Sequence, residues 1–354
     1  MVEKERILDA LREVRFPGLE RDIVSLGYVR GIAKDGDRWR VALEIATNDP
    51  AAAGEIEADV RRRFGALGVP FELDLSLPHR QAVQPGQLAP GAVDLLAGVP
   101  LKIAVASGKG GVGKSTVAVN LAVALASLGK AAGLLDCDIY GPSVPLMLGM
   151  ENERPLIADQ KLLPLQRHGV RSMSIGYLVD RATPVIWRGP MVGKALEQLM
   201  TDVAWDGIDT LVLDLPPGTG DAQISIAQLV ALSGAVIVTT PQDVALIDAG
   251  KGAAMFEKVH VRVLGLIENM SYFACPHCGE RTEIFRGGGG RREAMRLGIP
   301  LLGEIPIDPR IPVGGDLGSP VVAEAPDSEA GRAFLAAARA LLDALGAGAT
   351  VGRT

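Results

Sequence analysis

The hydrophobic pattern changes character near residue 100. Before it, apolar positions recur at mixed spacings. Lys4–Val14 has helical spacing, Ile23–Ile32 and Trp39–Ile45 read as strands joined by the turn Asp35-Gly36-Asp37, and Pro50–Gly65 reads as a helix ending in glycine. Pro70–Leu75 supplies a last strand, so residues 1–77 are expected to form a small α+β domain. Residues 78–100 carry prolines at 78, 85, 90 and 100 with several glycines and no periodicity, which is linker composition. From residue 101 to 354, short apolar runs alternate with helical segments. The runs are Lys102–Ala106, Ala131–Asp136, Thr210–Asp214, Ala235–Thr239, Val261–Ile267 and Leu301–Ile305; helical segments include Thr116–Leu128 and Ala222–Ala231. Strands without polar alternation are buried on both faces, which predicts an α/β domain with a mostly parallel sheet wrapped by helices. Ser328 is placed to cap a long closing helix, Glu329–Leu345.

Composition narrows the function classes. The 354 residues are 48% hydrophobic and 22% charged, which excludes a disordered tail. The net charge is −6 with no large basic block, so no nucleic-acid partner is expected. The N-terminus alternates charge without an apolar core, and no stretch is long and apolar enough for a membrane span. The expectation is a cytoplasmic chain with no membrane partner. Its three cysteines, Cys137, Cys275 and Cys278, cannot form a disulfide scaffold.

The clearest chemistry lies just after the first apolar run of the second part. Gly108-Lys109-Gly110-Gly111-Val112-Gly113-Lys114-Ser115-Thr116 fits the phosphate-binding pattern G-x-x-x-x-G-K-[ST] between a strand and a helix. Glycines let backbone N–H groups converge on phosphate oxygens, and the helix that follows presents its positive end. Lys114 is expected on the β/γ-phosphates of ATP and Ser115 on Mg²⁺. Asp214 closes the apolar run Thr210–Leu213 before Leu215-Pro216-Pro217-Gly218-Thr219-Gly220-Asp221; an acid at a buried strand end beside such a loop reads as the second Mg²⁺-holding group.

The second lysine, Lys109, makes the loop resemble that of the MinD/ParA/nitrogenase-iron-protein class. That resemblance implies an ATP-driven homodimer in which Lys109 reaches the partner's nucleotide. It implies that Asp138, in Asp136-Cys137-Asp138, orients the attacking water, with Asp136 in support. It also places Asn269 at the adenine edge.

Cys275-Pro276-His277-Cys278 has four readings: half of a zinc site, a redox dithiol, two unpaired buried thiols, or half of a shared site. A two-fold dimer would join two such pairs, and four thiolates suit one [4Fe–4S] cluster. The spacing alone does not choose between zinc and iron–sulfur; the position in an ATPase expected to dimerise favours sharing.

Taken in order, G-K-G-G-V-G-K-S-T, D-C-D-I-Y-G-P-S, D-L-P-P-G-T-G-D, N-M-S-Y-F-x-C-P-H-C-G and G-E-I-P-I-D across residues 101–320 resemble the Mrp/ApbC-type iron–sulfur cluster carrier ATPases. The segment Glu20–Val29 resembles the small metal–sulfur cluster biosynthesis domain fused ahead of many of them. The family often carries alanine where this chain has Cys137, which is read as a small core residue. The resemblance implies that a homodimer binds a labile [4Fe–4S] cluster through Cys275 and Cys278 of both subunits. It would receive the cluster from an upstream scaffold and pass it to apo iron–sulfur proteins, with MgATP adjusting its affinities. The alternatives are a MinD/ParA-type positioning ATPase without a cluster and a zinc-bridged dimeric ATPase.

Overall fold

The computed structural model describes residues 2–17, 22–35, 38–45, 50–76, 93–179, 189–275, 277–285 and 287–350. Two compact units emerge: residues 1–82 with 294–299, and residues 83–293 with 300–354.

In the first unit, helix α1 (Val2–Arg12) and helix α2 (Pro50–Leu67) accompany a three-stranded sheet of β1 (Val29–Asp35), β2 (Arg38–Glu44) and β3 (Phe71–Ser76), in the order β1-β2-β3. β1 and β2 are antiparallel, while α2 makes the crossover that lets β3 run parallel to β2. Ile7, Leu11, Val41, Leu43, Ile56, Val60 and Phe64 form the core, and Phe64 stacks on Phe71. Two sequence expectations are corrected here. The strand expected from Ile23 starts at Val29, because Asp22 Oδ1 accepts hydrogen bonds from Val24 N and Ser25 N and Gly27 sits at φ 74°, folding Ile23–Gly27 into turns. Helix α2 passes through Gly65 and ends at Leu67, before Gly68 at φ 64°. Residues 36 and 37 of the expected hairpin turn, and Glu20 and Arg21, lie outside the described residues.

The second unit opens with β4 (Leu101–Ala106), α3 (Lys114–Ser127), β5 (Ala132–Asp136) and the short α4 (Val144–Met147). A small hairpin, β6 (Ile157–Ala158) and β7 (Lys161–Leu162), then precedes β8 (Leu165–Arg167), β9 (Val170–Met173) and α5 (Gly189–Thr201). The chain continues through β10 (Thr210–Asp214), α6 (Asp221–Leu229), β11 (Gly234–Thr239), α7 (Asp243–Lys258) and β12 (Val263–Glu268). A second hairpin, β13 (Phe273–Ala274) and β14 (Arg281–Thr282), leads to α8 (Gly289–Leu297) and β15 (Leu301–Glu304). The chain closes with α9 (Arg310–Asp316), α10 (Val321–Glu324) and α11 (Glu329–Thr350).

Eight strands form one sheet in the order β15-β12-β11-β4-β10-β5-β9-β8, parallel throughout except for the edge pair β8–β9. Every residue of β5, β10, β11 and β12 is buried, as the unbroken apolar runs require of strands covered on both faces. Ser328 caps α11 as expected, its Oγ accepting from Gly331 N at 3.0 Å, and the helix runs on past Leu345. Within the segment expected as linker, residues 78–92 lie outside the described residues. Its final part is packed: Leu96 and Val99 are buried, and the Asp94 carboxylate takes Lys102 Nζ at 2.7 Å and Ala231 N at 3.2 Å. Proline content reported the lack of periodicity there, but not these side-chain anchors. No helix among the described residues is long and apolar enough to cross a membrane.

Candidate functional site

Parallel strands that end together leave a crevice at their carboxyl edge, and the site is built there. Register sets Asp214, the last residue of β10, beside Asp136 of β5 on one side and Val105 of β4 on the other. The loop from Ser107 to Gly113 leaves β4 at this edge and delivers Lys114 as the first residue of α3. Gly113 has φ 82°, a left-handed conformation costly for any side chain, and a Cβ there would lie 2.2 Å from Asn269 Nδ2. A Cβ on Gly108 would lie 2.1 Å from the Asp248 carbonyl of α7. The phosphate loop is therefore held closely from two sides.

Lys114 folds back into the protein. Its Nζ lies 2.6 Å from Asp214 Oδ1, 3.1 Å from Ser115 Oγ and 3.9 Å from Asp138 Oδ2. Asp214 is fully buried, and its Oδ2 has no hydrogen-bond partner among the described residues. Burial raises the Asp214 carboxyl, and the Lys114 charge with hydrogen bonds from Lys114 and Ser115 pulls it back down. A buried carboxylate with one spare oxygen beside a serine hydroxyl is the donor set that a hydrated Mg²⁺ takes.

Asp136 works structurally in this arrangement. Its carboxylate accepts Asp138 N at 3.1 Å, Ser174 Oγ at 2.9 Å and Val144 N at 3.4 Å, and so shapes the turn that carries Asp138. Burial, reinforced by the charge of Asp214, pushes Asp136 up to about 7. Asp138 keeps partial access, with 15% of its side chain exposed. Cys137 between them is buried; desolvation first, then the charge of Asp136, pushes its thiol well above the ordinary value. Lys109 is half-buried, and its ammonium has no ion pair among the described residues.

Asn269 follows β12 and is buried against the phosphate loop. Its N–H donates to Thr239 O and its Nδ2 donates to Val112 O at 2.9 Å. The structure thus gives it a loop-bracing contact that sequence reasoning did not include. Ser174 and the Asp248 backbone were also missed, since each reaches the site only through tertiary contact. The crowding at Gly108 and Gly113 was visible in the sequence only as glycine.

Cys275 and Cys278 lie elsewhere on the same unit, at the turn of the β13–β14 hairpin. The hairpin is closed by Cys275 N donating to Glu280 O and by Gly279 N, at φ 74°, donating to Cys275 O. Tyr272 and Phe273 tie its base to Ile307, and the Arg281 guanidinium stacks 4.2 Å over the Tyr272 ring while binding Glu329. Cys278 is exposed and Cys275 half-buried. Backbone N–H groups of Cys278 and His277 point at the Cys275 sulfur and lower its thiol. Among the described residues, no group of three or more His, Cys, Asp or Glu side chains could hold a metal ion. The described part of the hairpin presents two free thiols, Cys275 and Cys278.

Comparison with known proteins gives the family. Residues 98–342 match the model of the NUBPL iron-transfer P-loop NTPases, and residues 4–69 match that of an iron–sulfur cluster assembly protein. An iron–sulfur cluster carrier protein of Deinococcus radiodurans is 45% identical over 342 residues, covering 95% of this chain and 94% of its own. One of Escherichia coli is 42% identical over 348 residues, covering 96% and 91%. Among solved structures, a nucleotide-binding protein from Archaeoglobus fulgidus in complex with ADP is 42% identical with a TM-score of 0.57, covering 63% of this chain and 88% of its own. The cell division ATPase MinD of Pyrococcus furiosus, 24% identical with a TM-score of 0.51 and covering 69% and 99%, shares the fold. The chain belongs to the NUBPL iron-transfer P-loop NTPase family, together with the bacterial iron–sulfur cluster carrier proteins.

Proposed function

We propose that two copies of this chain carry one labile [4Fe–4S] cluster as cargo, held by Cys275 and Cys278 of each, and pass it to apo iron–sulfur proteins in a cycle driven by ATP hydrolysis. The observation that carries this reading is the thiol pair: Cys275 and Cys278 are free and stand together at one hairpin turn, Cys278 exposed. A cluster bridging two hairpins remains open to solvent and to an acceptor's thiols, as a carrier requires.

In the nucleotide cycle, ATP is the substrate of the loop from Gly108 to Thr116. Lys114 exchanges Asp214 for the β/γ-phosphates, which frees the Asp214 carboxylate. Ser115 and Asp214 would hold Mg²⁺, which neutralises phosphate charge. Asp138 orients the attacking water, and Lys109 extends to the nucleotide of the second copy. Exposed Val244 and Ile247 lie on α7 beside Asp248, whose backbone packs against Gly108; an apolar surface there suits burial between copies. The cycle belongs in the cytoplasm, where thiols stay reduced and an upstream scaffold supplies the cluster.

The test is anaerobic transfer from the loaded protein to an apo-[4Fe–4S] enzyme, with and without MgATP. Recovery of the acceptor's activity from wild type, and none from Cys275→Ser, supports the reading. Tight stoichiometric zinc that resists replacement by iron and sulfide overturns it in favour of a structural bridge.

A further inference from the structure

The end of β12 physically joins the phosphate loop to the thiol hairpin. At one end, Asn269 Nδ2 donates to Val112 O, and the Asn269 amide fills the space that a side chain on Gly113 would need. Immediately before it, the buried Glu268 carboxylate accepts Ser271 Oγ at 2.5 Å and also takes Gly290 N at the start of α8. Met270 between them is held at φ 55°, so the turn is a tightly defined conformation. Beyond Ser271 the chain is zipped to its neighbour: Ser271 N donates to Ile305 O, Ile307 N donates to Tyr272 O, and Phe273 bridges Ile307. Cys275 emerges directly from this rail.

We infer that the Glu268–Ser271 bond makes the Asn269 turn a coupling element, through which nucleotide on the phosphate loop stiffens the Cys275–Cys278 hairpin. Phosphate recruits the loop's N–H groups and fixes Val112 O; Asn269 is then held by a fixed acceptor, and Glu268 with Ser271 passes the constraint to the rail. Ser271 and Glu268 are positioning residues; neither touches nucleotide nor cargo. The inference rests on the proposed function, whose cargo this hairpin holds. Ordering at one site that lowers the ordering cost at another is sufficient for coupling without a large displacement.

Hydrogen exchange of the cluster-free full chain, resolved by peptide, tests it with Mg-ADP and with a non-hydrolysable ATP analogue plus Mg²⁺. In wild type, nucleotide slows exchange both in the loop around residues 108–116 and in residues 271–282, the latter by roughly tenfold. Ser271→Ala binds nucleotide with affinity within about twofold of wild type and protects the loop, yet the hairpin no longer responds. Glu268→Leu, which keeps a similar side-chain volume and removes both acceptor oxygens, serves as the second variant and loses the hairpin response likewise. A wild-type hairpin indifferent to nucleotide while the loop is protected overturns the inference, as do variants that respond like wild type. Cluster loading of the same preparations separates the two failures: loading without a hairpin response sinks only the coupling, and no loading sinks the carrier reading.

Discussion

Lys114 Nζ sits 2.6 Å from Asp214 Oδ1, a buried ion pair between residues 100 positions apart in sequence. The first residue of the helix after the phosphate loop is thereby stored on the acid that closes the neighbouring strand. This pair decides what loss of either residue does to stability as well as to turnover.

Lys114→Ala should abolish ATP hydrolysis and leave Asp214 uncompensated in the interior. Removing one partner of a buried pair costs about 3–5 kcal/mol, readable as a lower urea midpoint. Lys114→Ala combined with Asp214→Asn should regain much of that stability with no recovery of turnover. A single variant as stable as wild type would show that the pair is not formed in solution.

Asp138→Ala should still bind ATP, because Asp138 stands 3.9 Å from the lysine and outside the close pair. Its turnover should fall by about a hundredfold or more through loss of the group that orients water. Stopped hydrolysis with intact calorimetric binding supports the assignment; normal turnover removes it.

How much of this was legible in the chain differs by length scale. The phosphate loop is contiguous, so Gly108 to Thr116 announce themselves, and the unbroken apolar run before Asp214 marks a buried strand end. The Lys114–Asp214 pair and the Asn269–Val112 bond, spanning 157 positions, need the sheet order before they exist at all. Ile23–Gly27 looked like strand because its composition is apolar and β-branched at two positions, yet the Asp22 side chain captured its backbone. The spacing of Cys275 and Cys278 marked a candidate ligand pair; the hairpin that presents them, with its short strands, carried too little periodicity to be seen.

Asp136 gives a pH signature. Its folded value near 7 lies above the ordinary carboxylate value of 3.8, so the folded state holds a proton that the unfolded chain has lost. The stability it contributes is fully present below about 4 and is lost as pH rises towards about 7. In nucleotide-free protein, Asp136→Asn should therefore flatten the decline of unfolding free energy between those pH values. Equal slopes for wild type and variant would contradict the assignment.

Gly108→Ala should be destabilising by about 1–3 kcal/mol, because its Cβ would fall 2.1 Å from the Asp248 carbonyl. Weaker nucleotide binding should accompany it, as α7 yields to make room. Unfolding curves and binding isotherms check both effects.

Cys137→Ala should cost only about 1 kcal/mol and leave iron and sulfide loading unchanged, since Cys137 is buried between the two acids and not on the hairpin. Loss of loading in this variant would place a ligand where the carrier reading has none.

The most direct measurement is native mass determination of protein reconstituted anaerobically with iron and sulfide. The expected species contains two chains and a single [4Fe–4S] cluster, about four iron and four sulfide per dimer, and it disappears in Cys278→Ser. A cluster retained on one chain alone, or a dimer holding only zinc under the same conditions, would contradict the shared half-site.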